Sequence, residues 1–438
     1  MSSDGHLSDI PAPRSSISLL VRLALMMFLQ YFVQGCYLPI AALYVDQTLG
    51  FSAQQVGYFV AALAVGPILA PFVIGQIVDR AFSTERVMAF CHLTGGLLML
   101  ALFTQRAVWP VIILGTLYSV LYVPTMMLSN SLAFRHLKNG ELEFPWVRLF
   151  GTIGFIVPAF LIELGWLRGL QGEALAAARG IAFAMSGAIG IVMSVYCLTL
   201  PHTPPATRDR HTYAPGIVMA MLRQRHFLVI VLVTFFICIS HQYFFVFNSL
   251  FLRDILDSGG WKEAGEQMLS SLGQWCEILV MAFLGYLLKS LGYKRTLILG
   301  ATAYFLRFVL FSLVFSLDPP FVGKLILAGV GQALHGFCFG CFLAVGYMYV
   351  DRIAPPDVRG SMQNIYGVFF VSIGFLVGGL VGGAVGDWFT TEVNGVRERD
   401  WTSIWLTGSA LCAACVAALM IFFPSALPNR GSDETTQG

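Results

Sequence analysis

Charge is what this chain has least of. Lys, Arg, Asp and Glu make up 11% of its 438 residues, and 26 basic residues nearly balance 24 acidic ones, for a formal net charge of +2. Charges so few, spread along short segments, exclude the basic footprint of a nucleic-acid binder. Polar stretches long enough to house a catalytic domain are also missing. No nucleophile triad, metal cluster or phosphate-cradling motif can be read from the spacing, so an enzyme is not expected. The glycine-rich run from Gly374 to Gly386 lacks the Lys-Ser/Thr that a phosphate loop requires. The 9 cysteines all fall within apolar runs and read as small hydrophobes, which removes any disulfide framework. Cys338 with Cys341, and Cys412 with Cys415, have zinc-like spacing but no polar neighbours to orient a metal, so neither metal nor cofactor is expected. The polar leader carries no small-residue cleavage site, and the first apolar run is read as retained.

What the chain has is apolar length. Hydrophobic residues make up 57%, and mean hydropathy is +0.75, the composition of a polytopic membrane protein. A span needs roughly 20 apolar residues, and sliding that window along the chain gives about twelve. They run Leu19 to Val45, Val56 to Val78, Val87 to Phe103, Val108 to Phe134, Val147 to Trp166, Ile181 to Leu200, Phe227 to Phe251, Met268 to Leu288, Thr296 to Leu317, Phe321 to Val350, Ser361 to Val385 and Trp401 to Phe423. The fold class is therefore an all-α membrane protein with twelve transmembrane helices. Lys and Arg collect on the side of the two termini, among them Arg14, Arg22, Arg80, Arg86, Arg135 and Lys138. Positive charge inside the cell then puts both termini in the cytoplasm.

The longest polar connection, Pro201 to His226, divides the chain. The expected organisation is a leader (1–18), a six-helix bundle (19–200), a cytoplasmic linker (201–226), a second six-helix bundle (227–423) and a tail (424–438). Within the linker, Gly216 to Arg225 has the pattern of a short amphipathic helix at the inner membrane surface. A weak repeat supports the division: Gly75-Gln-Ile-Val-Asp79-Arg80 with Arg86 is echoed about half the chain later by Gly285-Tyr-Leu-Leu-Lys289 with Gly292 and Lys294.

Polar residues inside the spans are costly and point to function. Glu277 stands near the middle of the eighth span, three residues after Gln274. Arg148, Thr152 and Phe155, spaced by four and three, share one face of the fifth: a charged donor, a hydroxyl and an aromatic ring. His241 and Gln242 on the seventh add further partners. Such a set suits a ligand with a flat face, hydrogen-bonding edges and hydroxyls. Arg307 is expected either to neutralise a carboxylate or to hold the ninth span to its neighbours, and His92 to make a helix contact. His335, near mid-bilayer, is open to either a structural or a titrating role. Glu163 and Asp351, near span ends, are expected to be solvated. The glycines from Gly374 to Gly386 permit close helix approach.

The Gly-x-x-x-Asp-Arg loop with its following Arg86, in a six-plus-six protein, resembles the major facilitator superfamily. That resemblance implies two bundles that alternate access, with Asp79 and Arg86 in a gating latch. Within the superfamily the chain is similar to the nucleoside:proton symporters. The similarity is carried by Phe28-Leu29-Gln30, Cys91-His92, Phe144-Pro145 followed by Arg148-x-x-Gly151-Thr152-Ile153-Gly154-Phe155, Leu198-Thr199-Leu200-Pro201-His202, Gln274-x-x-Glu277, Leu306-Arg307-Phe308, and Asp400-Trp401 with Trp405. It implies substrate-binding roles for Arg148, Thr152, Phe155, Gln242, Gln274, Glu277 and Phe339, with His335 at a position where relatives carry Tyr or His. Nucleosides and protons are the implied partners, carried by a monomer in the inner membrane.

Two positions depart from the family pattern. Phe245 replaces an amide one turn after Gln242, and Gly340 stands where the family places an Asp after the aromatic aligned with Phe339. That Asp is the natural proton-coupling group, so its loss makes Glu277 the coupling candidate: a desolvated carboxylate that exchanges a proton while contacting substrate. The residues alone leave open another small polar solute such as a sugar or drug-like molecule, a facilitator without proton coupling, or a membrane sensor.

Overall fold

A computed structural model describes residues 14–69, 82–204, 224–354, 362–363, 365–394 and 396–424. Lipid offers the backbone no hydrogen-bond partners, so each apolar run closes its own ladder as a helix. Among the described residues, ten helices are long and apolar enough by themselves to cross a membrane, one of them Glu266–Ser316. That helix is two spans joined where Gly292 adopts φ 72°, and the shorter apolar helix Ala53–Leu69 supplies one more, which brings the spans to twelve. In chain order they are α1 (Ile17–Tyr37), α2 (Ala53–Leu63), α3 (Thr84–Thr104), α4 (Val108–His136), α5 (Gly140–Phe160), α6 (Ile181–Cys197), α7 (Arg225–Ser258), α8 (266–291), α9 (293–316), α10 (Phe321–Ala333, continuing to Ile353), α11 (Ile373–Trp388) and α12 (Trp401–Phe422).

Short polar residues finish the ladders at the ends. Ser16 accepts from the Leu19 amide, Ser52 and Gln55 form a reciprocal capping box at α2, and Asp400 accepts from the Ser403 amide of α12. The helices overlap the expected spans, with α5 beginning at Gly140 where Val147 was expected and α7 running on to Ser258 past Phe251, while the expected end of the second span and start of the eleventh lie outside the described residues.

One apolar cluster, from Phe32 and Tyr118 to Phe308 and Trp405, runs through both bundles. In the first, Gln30 of α1 donates to Thr125 (2.8 Å) and pairs with His92 of α3 (2.9 Å), while the Tyr122 hydroxyl donates to the Gln30 carbonyl. His92 is thus a helix-contact histidine, as expected. In the second, Trp405 is fully buried among the rings of Phe247, Phe251, Phe308 and Phe311. The start of the linker is folded onto α3: Thr203 is buried, its amide donates to the Glu85 carboxylate (3.0 Å), and its carbonyl accepts from the Thr84 amide (2.9 Å). The helix expected from Gly216 falls outside the described residues up to its last two positions, as does Asp79 of the gating loop; Arg86 is exposed on the first turn of α3.

The bundles are joined at the end opposite Ser16 and Phe423. There α2 and α11 approach so closely that a Cβ on Gly57 would lie 2.5 Å from the Gly383 Cα. The glycine run therefore does what close packing requires of it. Arg179 of the first bundle bonds Glu266 of the second at 2.8 Å, and Arg253 holds the same carboxylate oxygen at 2.8 Å. A hairpin of Thr390–Val393 and Val396–Arg399 brings Arg397 and Arg399 to Asp46 at 3.0 and 2.7 Å.

Glu163 corrects an expectation. It is buried, 3% exposed, and accepts from the amides of Gln267 (2.6 Å) and Met268 (2.9 Å). The N-terminus of α8 begins at Gly265 and has no cap of its own, so a carboxylate from the other bundle supplies it. Asp351 is half-buried and accepts from Gln363 at 2.9 Å.

Candidate functional site

Midway through the molecule, α5 of the first bundle approaches α8 of the second, on which α10 is also packed. Arg148, Thr152 and Phe155 are each half-buried on α5. The Arg148 guanidinium lies 4.1 Å over the Tyr31 ring of α1, a cation–π contact, and its Nη1 is buried without a hydrogen-bond partner. Across from it, Gln274 and Glu277 are half-buried on α8, and neither Gln274 nor Thr152 makes a hydrogen bond among the described residues. Arg148 is close enough for its charge to act on Glu277, though the two are not in ion-pair contact.

Glu277 Oε2 lies 4.0 Å from His335 Nε2 on α10. His335 is 4% exposed, and its Nδ1 faces Arg307 Nη1 of α9 at 3.1 Å. Its ring packs against His241 (5.7 Å) and Phe244 (6.0 Å) of α7, near-parallel to each. His241 is itself tied by Nδ1 to the Tyr304 hydroxyl at 2.7 Å. Arg307 is wholly buried and touches no carboxylate among the described residues; its guanidinium lies 3.2 Å from the Phe244 ring centroid. Of its two expected roles, the contact with neighbouring spans is the one observed.

Phe339 is half-buried in a widened helical turn, Cys338–Ala344, the kind of local departure often found where a helix carries function. Gly340, next to it, is buried and points at α8: a Cβ there would meet Val280 Cγ1 at 2.9 Å. One turn earlier, a Cβ on Gly336 would sit 2.6 Å from the Cys276 carbonyl and 2.8 Å from the Glu277 amide. The two glycines let α10 lie directly against the turn of α8 that carries Glu277. The position where an acid was expected thus serves packing in this chain.

Gln242 is not gathered with the others. Its Nε2 donates to the Val60 carbonyl of α2 at 3.3 Å, at the seam between the bundles. The sequence reading missed Tyr31, Phe244 and Tyr304, which are ordinary apolar-face aromatics until the fold sets them beside charges. It missed the paired end as well, because Arg179 with Glu266 and Asp46 with Arg399 come from distant segments.

Comparison with known proteins agrees with this architecture. The family model named Nucleoside H+ symporter matches residues 17–427. YegT of Escherichia coli is 29% identical over 408 residues, 92% of this chain and 93% of its own. The xanthosine permease of Escherichia coli is 27% identical, covering 93% of this chain and 96% of its own, and the nucleoside permease NupG of the same organism is 25% identical with the same coverage. A crystal structure of the nucleoside transporter NupG superposes with a TM-score of 0.80 at 23% identity, covering 93% of this chain and 99% of that one.

Proposed function

The chain belongs to the nucleoside H+ symporter family, and on that footing we propose that it binds a nucleoside between its two bundles and carries it with a proton by alternating access. The observation that supports the site is the unspent hydrogen-bonding capacity between α5 and α8. Arg148 Nη1 is buried without a partner, near enough to Glu277 for its charge to act there, and the Thr152 and Gln274 side chains make no hydrogen bond among the described residues. Buried polar groups are normally satisfied by protein, so a cluster left open is suited to a polar ligand.

In this reading Arg148, Thr152, Gln274 and Glu277 hold the sugar and base edges, Phe155 and Phe339 flank the base, and His335 supports Glu277. Gln242 acts where the seam meets the site, and Glu277 is the group that exchanges the proton. Asp79 and Arg86 govern the exchange between states. Both termini lie in the cytoplasm of an inner-membrane monomer. The joined end then faces outward and the substrate path leads inward.

The test is uptake of labelled uridine and adenosine into cells lacking their own nucleoside carriers, with and without a protonophore. Saturable uptake that collapses with the proton gradient is expected. No uptake above background would sink the nucleoside reading, and uptake indifferent to pH and protonophore would remove the proton from the cycle.

A further inference from the structure

Arg307 is a buried cation with no carboxylate against it, and what it does instead has a chemical consequence. A guanidinium carries donors only. Its Nη1, 3.1 Å from His335 Nδ1, therefore makes that nitrogen the acceptor. A neutral imidazole so bonded carries its proton on Nε2, the nitrogen that faces Glu277. Near-parallel contacts with His241 and Phe244 of α7 orient the ring, and the bond between His241 and Tyr304 holds the first of them in place.

The Nε2 to Oε2 separation of 4.0 Å is too long for a direct hydrogen bond. It does suit one oxygen seated about 2.8 Å from each, a normal length for both bonds. That atom must accept from Nε2–H and donate to the carboxylate. A hydroxyl does both; a base carbonyl only accepts, and an amide or ring N–H only donates.

We propose that Arg307 is a positioning residue that holds His335 as its Nε2–H tautomer, and that the His335 and Glu277 pair so formed takes one hydroxyl of the nucleoside sugar. The proposal rests on the nucleoside reading above. The charged and titratable groups around the pair are Arg148 from α5, Tyr31 from α1, His241 from α7, Arg307 and Tyr304 from α9 and Cys338 from α10. With Arg307 on Nδ1, His335 stays a donor across the working pH range. Without it, nothing holds Nδ1 as the acceptor, and the ring is free to adopt the other neutral tautomer, which turns a bare Nε2 acceptor toward Glu277.

The experiment is calorimetry on the purified full-length protein with uridine and its 2′-, 3′- and 5′-deoxy analogues, each variant first checked for a normal melting transition. One analogue should bind the wild type about 5- to 150-fold more weakly than uridine, the range for a lost buried hydrogen bond. His335→Phe should weaken uridine by a similar factor and leave that analogue unchanged. Arg307→Met should show the same selective loss, because it removes the donor that holds Nδ1 as the acceptor. Arg307→Lys, which still donates, should restore the discrimination, and it stands in if Arg307→Met does not fold. Equal binding of all three analogues and uridine by the wild type overturns the proposal, as does equal weakening of every ligand by His335→Phe. Full discrimination between uridine and that analogue in a folded Arg307→Met variant removes the positioning role. Failure of wild type to bind any nucleoside instead overturns the reading beneath it.

Discussion

Two polar regions of this molecule are built on opposite accounts of their hydrogen bonds. At the joined end the charges are matched: Glu266 serves Arg179 and Arg253, Asp46 serves Arg397 and Arg399, and Glu163 serves two amides of α8. At mid-depth they are not: Arg148 Nη1 and two nitrogens of Arg307 are unbonded, and Glu277 stops 4.0 Å short of His335. Arg179 Nε and the Gln267 side chain also lack partners at the joined end, so the contrast lies in the charges: paired ones hold two surfaces together, whereas unpaired ones suit something that arrives and leaves. Stability should therefore depend on the first region and ligand affinity on the second.

The largest effect on that contrast should come from Glu266→Ala. Glu266 is fully buried, and its loss leaves the Arg179 guanidinium, 2% exposed, without a carboxylate and takes one of two carboxylates from Arg253, which keeps Asp257 at 3.0 Å. Breaking buried pairs in this way costs about 3–5 kcal/mol. The melting midpoint in detergent should fall well below that of wild type, and further than for Arg179→Ala, which leaves Arg253 its partner. An unchanged midpoint would mean that the joined end is not held by this cluster.

Arg148→Ala and Gln274→Ala should reverse the pattern. Neither side chain hydrogen-bonds the protein, so melting should barely move, while nucleoside affinity falls by about 1–3 kcal/mol for each lost hydrogen bond, roughly 5- to 150-fold. If both variants bind as tightly as wild type by calorimetry, the site lies elsewhere. Glu277→Gln sharpens this within the site. Exchange of labelled nucleoside across a membrane should persist, whereas accumulation against a gradient and its rise at low external pH should disappear. Retained accumulation would assign the proton to another group.

The fold was legible from hydropathy because every span must close its own backbone bonds in lipid, so apolar length alone marks α1 to α12. Part of the site was legible for the same reason read in reverse: Arg148, Gln274 and Glu277 are polar where polarity is expensive. The joined end could not be read. Glu163 lies near a span end, where a solvated carboxylate is the ordinary outcome; only the meeting of two bundles supplies the amides of Gln267 and Met268. Gly340 looked like a missing acid, and its packing against Val280 becomes visible only once α10 is laid on α8.

The smallest effect discriminates most finely. Glu163→Gln keeps the size and one acceptor oxygen but loses the other, so one of the two α8 amides it now holds at 2.6 and 2.9 Å is left unbonded. Losing a helix cap of this kind costs about 0.5–2 kcal/mol. The contact joins the two bundles, so it exists only while this end is closed. The cost then falls on one state of the cycle, and the population should move toward the other by roughly 2- to 30-fold. Substrate contacts at Arg148 and Glu277 are untouched. A cysteine placed at Val60, which lies 4% exposed in the seam, should accordingly react faster with a membrane-impermeant maleimide in the Glu163→Gln background, by the same factor. Nucleoside affinity per competent state should stay constant. If the Val60→Cys thiol reacts at the same rate with and without Glu163, the cap stabilises α8 alone and carries no weight in holding the bundles together.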